Sequence, residues 1–117
     1  MPKGIFLALS NAASDDVHEQ FNQWYDDVHS KEVLALPGVK SARRFKLADA
    51  QIMPDDDATG RKYLALYEVE VDDWQAFAKQ FQKAFADGRI TIDPSLLQLD
   101  PMVMTMVWEE ITPEVKA

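Results

Sequence analysis

The chain has 117 residues, enough for one domain with a single core. Apolar residues make up 47% of it, which excludes disorder as its overall class. A net charge of −8 leaves no basic footprint for nucleic acid or an anionic membrane, and the absence of cysteine excludes disulfides, thiolate metal sites and a cysteine nucleophile.

The N-terminal apolar run, residues 5–9, is too short for a secretory signal peptide. No stretch reaches the roughly 18 apolar residues of a membrane helix, so a soluble cytoplasmic protein is expected. Residues 4–10 predict a strand buried on both faces, being apolar without alternation. Ser14, Asp15 and Asp16 offer a cap and first-turn acids for a helix running to Leu36, where Pro37 and Gly38 end it. Residues 39–47 alternate. Val39, Ser41, Arg43, Phe45 and Leu47 share one face; Lys40, Ala42, Arg44 and Lys46 share the other, a basic face that suits an edge strand. Residues 48–60 read as a polar loop. Its end, 55–60, begins like a calcium loop, but the twelfth position is Leu66 rather than a bidentate Glu, which predicts a solvated loop instead.

Residues 61–71 predict a third strand. Asp72 then caps a second helix, with Gln75 in the capping-box position. Trp74, Phe77, Ala78, Phe81 and Phe85 give that helix one apolar stripe, and Gly88 stops it. Residues 91–100 read as irregular. A fourth strand spans 102–108, apolar on both faces, with Met102, Met104 and Met106 alternating as packed strand residues do. The order βαββαβ is the ferredoxin-like plan: an α+β domain filling 1–117, with a four-stranded antiparallel sheet and two helices on one face. Strands one, three and four are apolar on the other face as well. That patch predicts a homodimer pressed sheet to sheet.

On a wheel of about 100° per residue, Val17, Phe21, Trp24, Val28 and Ala35 form the stripe of the first helix that faces the sheet. His18, Asn22, Tyr25 and His29 form a polar stripe beside it, while Glu19, Gln23, Asp26 and Ser30 point to solvent. Tyr25 and His29 are one turn apart and can touch. Glu32 lies three residues beyond His29, placed to orient the ring, and a His beside a carboxylate exchanges protons near neutral pH. His18 and His29 are too far apart along the helix axis to share one metal ion, so no metal is expected and His18 reads as a partly exposed helix residue. On the strands, Arg43 among apolar neighbours is a candidate for an enolate or carboxylate oxygen if its head turns inward. Tyr67, sharing a face with Tyr63, adds a phenolic hydrogen bond.

The stretch Asn22-Gln23-Trp24-Tyr25-Asp26-Asp27-Val28-His29, with Pro37-Gly38-Val39 and Ser41-Ala42-Arg43-Arg44-Phe45, resembles the first helix and second strand of EthD-like proteins in the dimeric α+β barrel superfamily. It departs from many of them at Lys31, where they carry proline. The resemblance implies that His29 faces a ligand pocket. It implies a superfamily that includes cofactor-free polyketide cyclases, lactone isomerases, monooxygenases, haem-degrading enzymes and proteins of unknown role.

The resulting expectation is a cofactor-independent enzyme of the cyclase, isomerase or lyase type, or a monooxygenase, acting on an aromatic or polyketide-like carbonyl compound. His29 would move protons, with Tyr25 as its catalytic partner. Asn22, Arg43 and Tyr67 would hold the substrate or an enolate oxygen. The alternative is a non-catalytic small-molecule binding or accessory protein with the same pocket. Haem binding would need basic groups for the propionates, which the acidic composition disfavours.

Overall fold

The computed structural model describes residues 2–53 and 59–117. Its strands are β1 (Lys3–Ser10), β2 (Val39–Lys46), β3 (Tyr63–Glu70) and β4 (Met104–Glu109). They form one antiparallel sheet in the order β2-β3-β1-β4, so β2 is an edge strand. The loop expected over 55–60 lies outside the described residues except for Thr59 and Gly60.

Strand β1 explains why an apolar run without alternation sits here. Phe6, Ala8 and Ser10 are buried beneath the helices. Ile5, Leu7 and Leu9 lie on the opposite face, in register with Glu68, Leu66 and Leu64 of β3 and with Trp108, Met106 and Met104 of β4. Both faces are apolar because only one is covered by helices.

The first helical rod has four segments: a 3-10 turn (Asp15–Val17), α1 (His18–Trp24), a π turn (Tyr25–His29) and α2 (Ser30–Leu34). Ser14 is extended but its side chain makes no cap bond; the Val17 amide instead donates to the Ser14 carbonyl. The helix ends at Leu34 rather than Leu36. The Leu36 amide tightens back onto the Val33 carbonyl at 3.0 Å, because Pro37 disfavours helical geometry at the residue before it. Gly38 then turns at φ 91°, and a Cβ there would strike the Val71 side chain, so both backbone and space demand glycine.

The second helix is α3 (Trp74–Ala86). Its cap is Asp73 rather than Asp72: the Asp73 carboxylate accepts the Gln75 amide at 2.9 Å. Gly88 closes it at φ 75°, with the Gly88 amide on the Phe85 carbonyl and the Arg89 amide on the Ala84 carbonyl, the paired bonds of a Schellman end. Phe77 and Ala84 are buried, while Ala78, expected on the stripe, is exposed.

In β2, Val39 pairs with Val69 but Ser41 already pairs with Glu68, leaving Lys40 as an extra residue. This bulge puts Val39, Ala42 and Arg44 on the helix side, and Ser41, Arg43 and Phe45 on the open side. The irregular stretch 91–103 is tied back to the end of β1. Ala12 bridges Leu97, and Asn11 bonds Lys62, Gly60 and Gln98. No helix of the described residues is long and apolar enough to cross a membrane.

Candidate functional site

Regular α-helix would turn Val28 inward and Ser30 outward. The π turn reverses both. The Ser30 amide donates to the Tyr25 carbonyl five residues back, which adds one residue to that turn. The apolar stripe Phe21, Tyr25 therefore continues at His29 and Val33, all buried, and Val28 is left 43% exposed. Ser30 is buried too.

His29 arrives in a fixed orientation. Its Nδ1 donates to the Thr91 carbonyl at 3.0 Å, which leaves the acceptor lone pair of the neutral ring on Nε2. Glu32 holds the same residue, accepting the Thr91 amide at 3.1 Å and the Thr91 hydroxyl at 3.0 Å. Its carboxylate stands 3.5 Å from His29 Nδ1. The imidazole stacks on Trp24 at 4.8 Å and meets Tyr25 edge-on at 4.9 Å. Burial pushes the His29 pKa below its usual value, and the nearby Glu32 charge and Thr91 carbonyl only partly offset this. At neutral pH the ring is therefore an uncharged base.

His29 lines a cavity of about 240 Å³ between the inner sheet face, the π turn, α3 and residues 91–103. Tyr25, Tyr67, Phe6 and Phe81 form its floor and walls; Phe85, Ile92 and Met102 stand at its rim, partly exposed. A larger depression of about 580 Å³ lies at one end of the open sheet face, between Lys40, Glu68 and Trp108. It is shallow. The helix-side cavity is the candidate site because the buried polar groups converge there.

Two tyrosines, Tyr25 and Tyr67, line that cavity, and the Ser30 hydroxyl lies close to Tyr67. Tyr67 is 1% exposed, and its Oη has no hydrogen-bond partner among the described residues. The buried Ser30 hydroxyl is likewise unpaired. Ser30 and Tyr25 lie near enough to Tyr67 to favour its ionised form, yet neither completes a bond of normal geometry to Oη. Burial raises the pKa of both tyrosines, Tyr25 furthest, so both stay protonated and able to donate.

The structure thus brings His29, Tyr25 and Tyr67 together, and Ser30 and Thr91 with them. It does not bring Asn22 or Arg43. Asn22 is engaged outside the cavity, where its Oδ1 accepts Arg44 Nη2 at 3.0 Å. Arg43 pairs with Leu66 on the open side of the sheet and lies over Phe45, because the Lys40 bulge sets the faces of β2. The inward arginine is Arg44. Its guanidinium lies 4.3 Å from the Tyr25 ring, on the side held by Asn22 and Asp26. The sequence signal for it was the pair Asn22 and Asp26, two acceptors one helical turn apart. His18, as expected, sits partly exposed, with Nδ1 on the Tyr63 hydroxyl. Among the described residues, no three His, Asp or Glu side chains converge as a metal site.

No curated protein matches the sequence. Solved structures do match in shape. A protein of Arabidopsis thaliana aligns with TM-score 0.64 and 13% identity over 96% of this chain and 99% of its own. A dimeric ferredoxin-like protein of unknown function from Thermobifida fusca aligns with TM-score 0.53 and 15% identity, over 92% of this chain and 90% of its own. An EthD family protein from Bacillus halodurans aligns with TM-score 0.54 and 10% identity, over 95% of this chain and 100% of its own. At such identities the likeness is one of fold, and the fold is the EthD-like, ferredoxin-like one. By the match of its residues 5–90 to the family model, the chain belongs to DUF4286, a domain of unknown function.

Proposed function

We propose that this protein is a cofactor-independent enzyme of the cyclase, isomerase or lyase type, acting in the cytoplasm on an aromatic or polyketide-like carbonyl compound, with His29 as general acid/base. The observation that carries the reading is the buried, neutral His29, whose Nδ1 is tied to Thr91 so that the free lone pair is on Nε2 of a cavity-lining ring. In the proposed step Nε2 takes a proton from carbon next to a carbonyl. The bonding pair moves onto the carbonyl oxygen, and a tyrosine hydroxyl donates a hydrogen bond to the enolate formed. Glu32, 3.5 Å from Nδ1, steadies the imidazolium until it returns the proton to another carbon or to a leaving oxygen. Tyr25 packs edge-on to the ring and keeps its own proton, which suits a donor.

The reading includes a homodimer. Leu7, Leu66, Met106 and Trp108 lie on the face that no helix covers, and Trp108 is 57% exposed. The Thermobifida fusca protein of the same fold is dimeric. The test of the chemistry is to identify by mass spectrometry the compound that co-purifies in the cavity and to follow its turnover. His29→Ala is expected to slow it by roughly 10²–10⁴-fold with the fold retained, and His18→Ala to change it little. Equal turnover in His29→Ala and wild type would leave a binding protein.

A further inference from the structure

We infer that the Tyr67 hydroxyl, backed by Ser30, is a subsite for one acceptor oxygen of a neutral ligand, and that the cavity rejects carboxylates. The inference rests on the proposed cavity but not on proton transfer within it. A buried hydroxyl without a partner costs stability unless something completes it. Here two hydroxyls without a bond of standard geometry, Tyr67 Oη and Ser30 Oγ, lie close together with Tyr25 beside them, and Tyr67 lines the cavity; even when Ser30 turns its proton to Tyr67, the Tyr67 proton is left to place. A phenol has one proton to give and lone pairs to receive. With Ser30 behind it the consistent direction is Ser30 hydroxyl to Tyr67 oxygen and Tyr67 proton to the ligand. The ligand therefore supplies a lone pair: a ketone, an ester carbonyl or a phenolic oxygen.

The ligand is neutral because, among the described residues, no Lys or Arg lines the cavity. Arg44, whose charge is felt at Tyr67 from outside the cavity, is already spent on Asn22 and Asp26 and lies against the Tyr25 ring. A carboxylate in this space would lose its hydration with only neutral hydroxyls, those of Tyr67 and Tyr25, to replace it. The volume of about 240 Å³ exceeds the ~150 Å³ apolar cavity that takes up benzene, so a ring with a short substituent fits.

The test is binding of three probes of similar size by NMR titration at pH 8: acetophenone, ethylbenzene and benzoate. Wild type is expected to bind acetophenone about tenfold tighter than ethylbenzene, the worth of one added hydrogen bond, and benzoate at least tenfold weaker than acetophenone. Tyr67→Phe should bring the ketone-to-hydrocarbon ratio to about one while ethylbenzene affinity holds. If Tyr67→Phe does not fold, Ser30→Ala should lower the same ratio. No ketone preference in wild type, a preference that survives Tyr67→Phe, a ratio undiminished by Ser30→Ala, or benzoate binding as tightly as acetophenone overturns the inference. Turnover is followed on the same samples as binding. A chain that keeps the ratio but turns nothing over therefore retains the subsite and loses the proton-transfer reading, and turnover without the ratio does the reverse.

Discussion

At position 29, burial and hydrogen bonding agree at neutral pH and conflict in acid. The neutral ring needs one donor contact, to Thr91, and gets it. The charged ring would have to be solvated inside an aromatic sandwich. Its folded pKa is lowered, so between that value and the ordinary value of about 6.5 the unfolded chain binds the extra proton. The stability tied to neutral His29 is present above about pH 6.5 and is lost as pH falls through the folded value. The gap in Tm between wild type and His29→Gln should therefore move against wild type between pH 7 and pH 5; a gap independent of pH would contradict the burial argument. Arg44 shows the opposite economy. Its partner Asp26 is 60% exposed, so that ion pair contributes little, and the stack on Tyr25 with the bond to Asn22 carries more of the weight.

At the level of elements, the order βαββαβ, the Pro37-Gly38 break and the Gly88 stop were legible because each has a local signature. Two features were not, and they have one cause. The π turn and the Lys40 bulge each insert a single residue into an otherwise regular period. The pattern on either side stays intact, so nothing in the composition marks the step. Beyond the first step, Ser30 and Val28 exchange places; across the second, Val39 joins the face of Arg44 and Arg43 goes to the other side. His29 escaped the error because it lay at the margin of the expected stripe, and one added residue turned it inward. Deleting Asp27, an exposed residue of the π turn, should let the helix close as regular α with His29, Ser30 and Val33 still inward. We expect that variant to fold with a Tm near wild type by circular dichroism. Deleting exposed Lys31, beyond the π turn, turns buried Val33 out of the core and should cost several kcal/mol, in the range of a large core truncation. Equal damage from both deletions would mean that the extra residue is not an insertion the helix can do without.

For the whole molecule, the sheet has two apolar faces and one helical layer. Thr105 and Val107 pair with Ala8 and Phe6 and so point to the helix side, where both remain exposed along the edge strand. Met106, in register with Leu7 and through it with Leu66, is central on the open face. Met106→Asp should convert a dimer into a folded species of 13.3 kDa by light scattering, with its circular dichroism spectrum unchanged. Wild type running at that same mass at micromolar concentration would remove the dimer from the reading. The helix-side cavity is built within one protomer, so ligand binding should survive the change.

The stack of Trp24 on His29, at 4.8 Å and 27°, has an optical consequence. A protonated imidazole against an indole quenches its fluorescence, whereas a neutral one does so far less. The chain carries three tryptophans, and replacing Trp74 and Trp108 by Phe leaves Trp24 as the single emitter. Its intensity should drop as acid charges His29, with a midpoint below that of a free histidine, and should stay flat across the same range in a His29→Gln background. An acceptor oxygen bound beside His29 would shift that midpoint. The protein thus carries a built-in light signal for the charge on its candidate base, readable before any substrate is known.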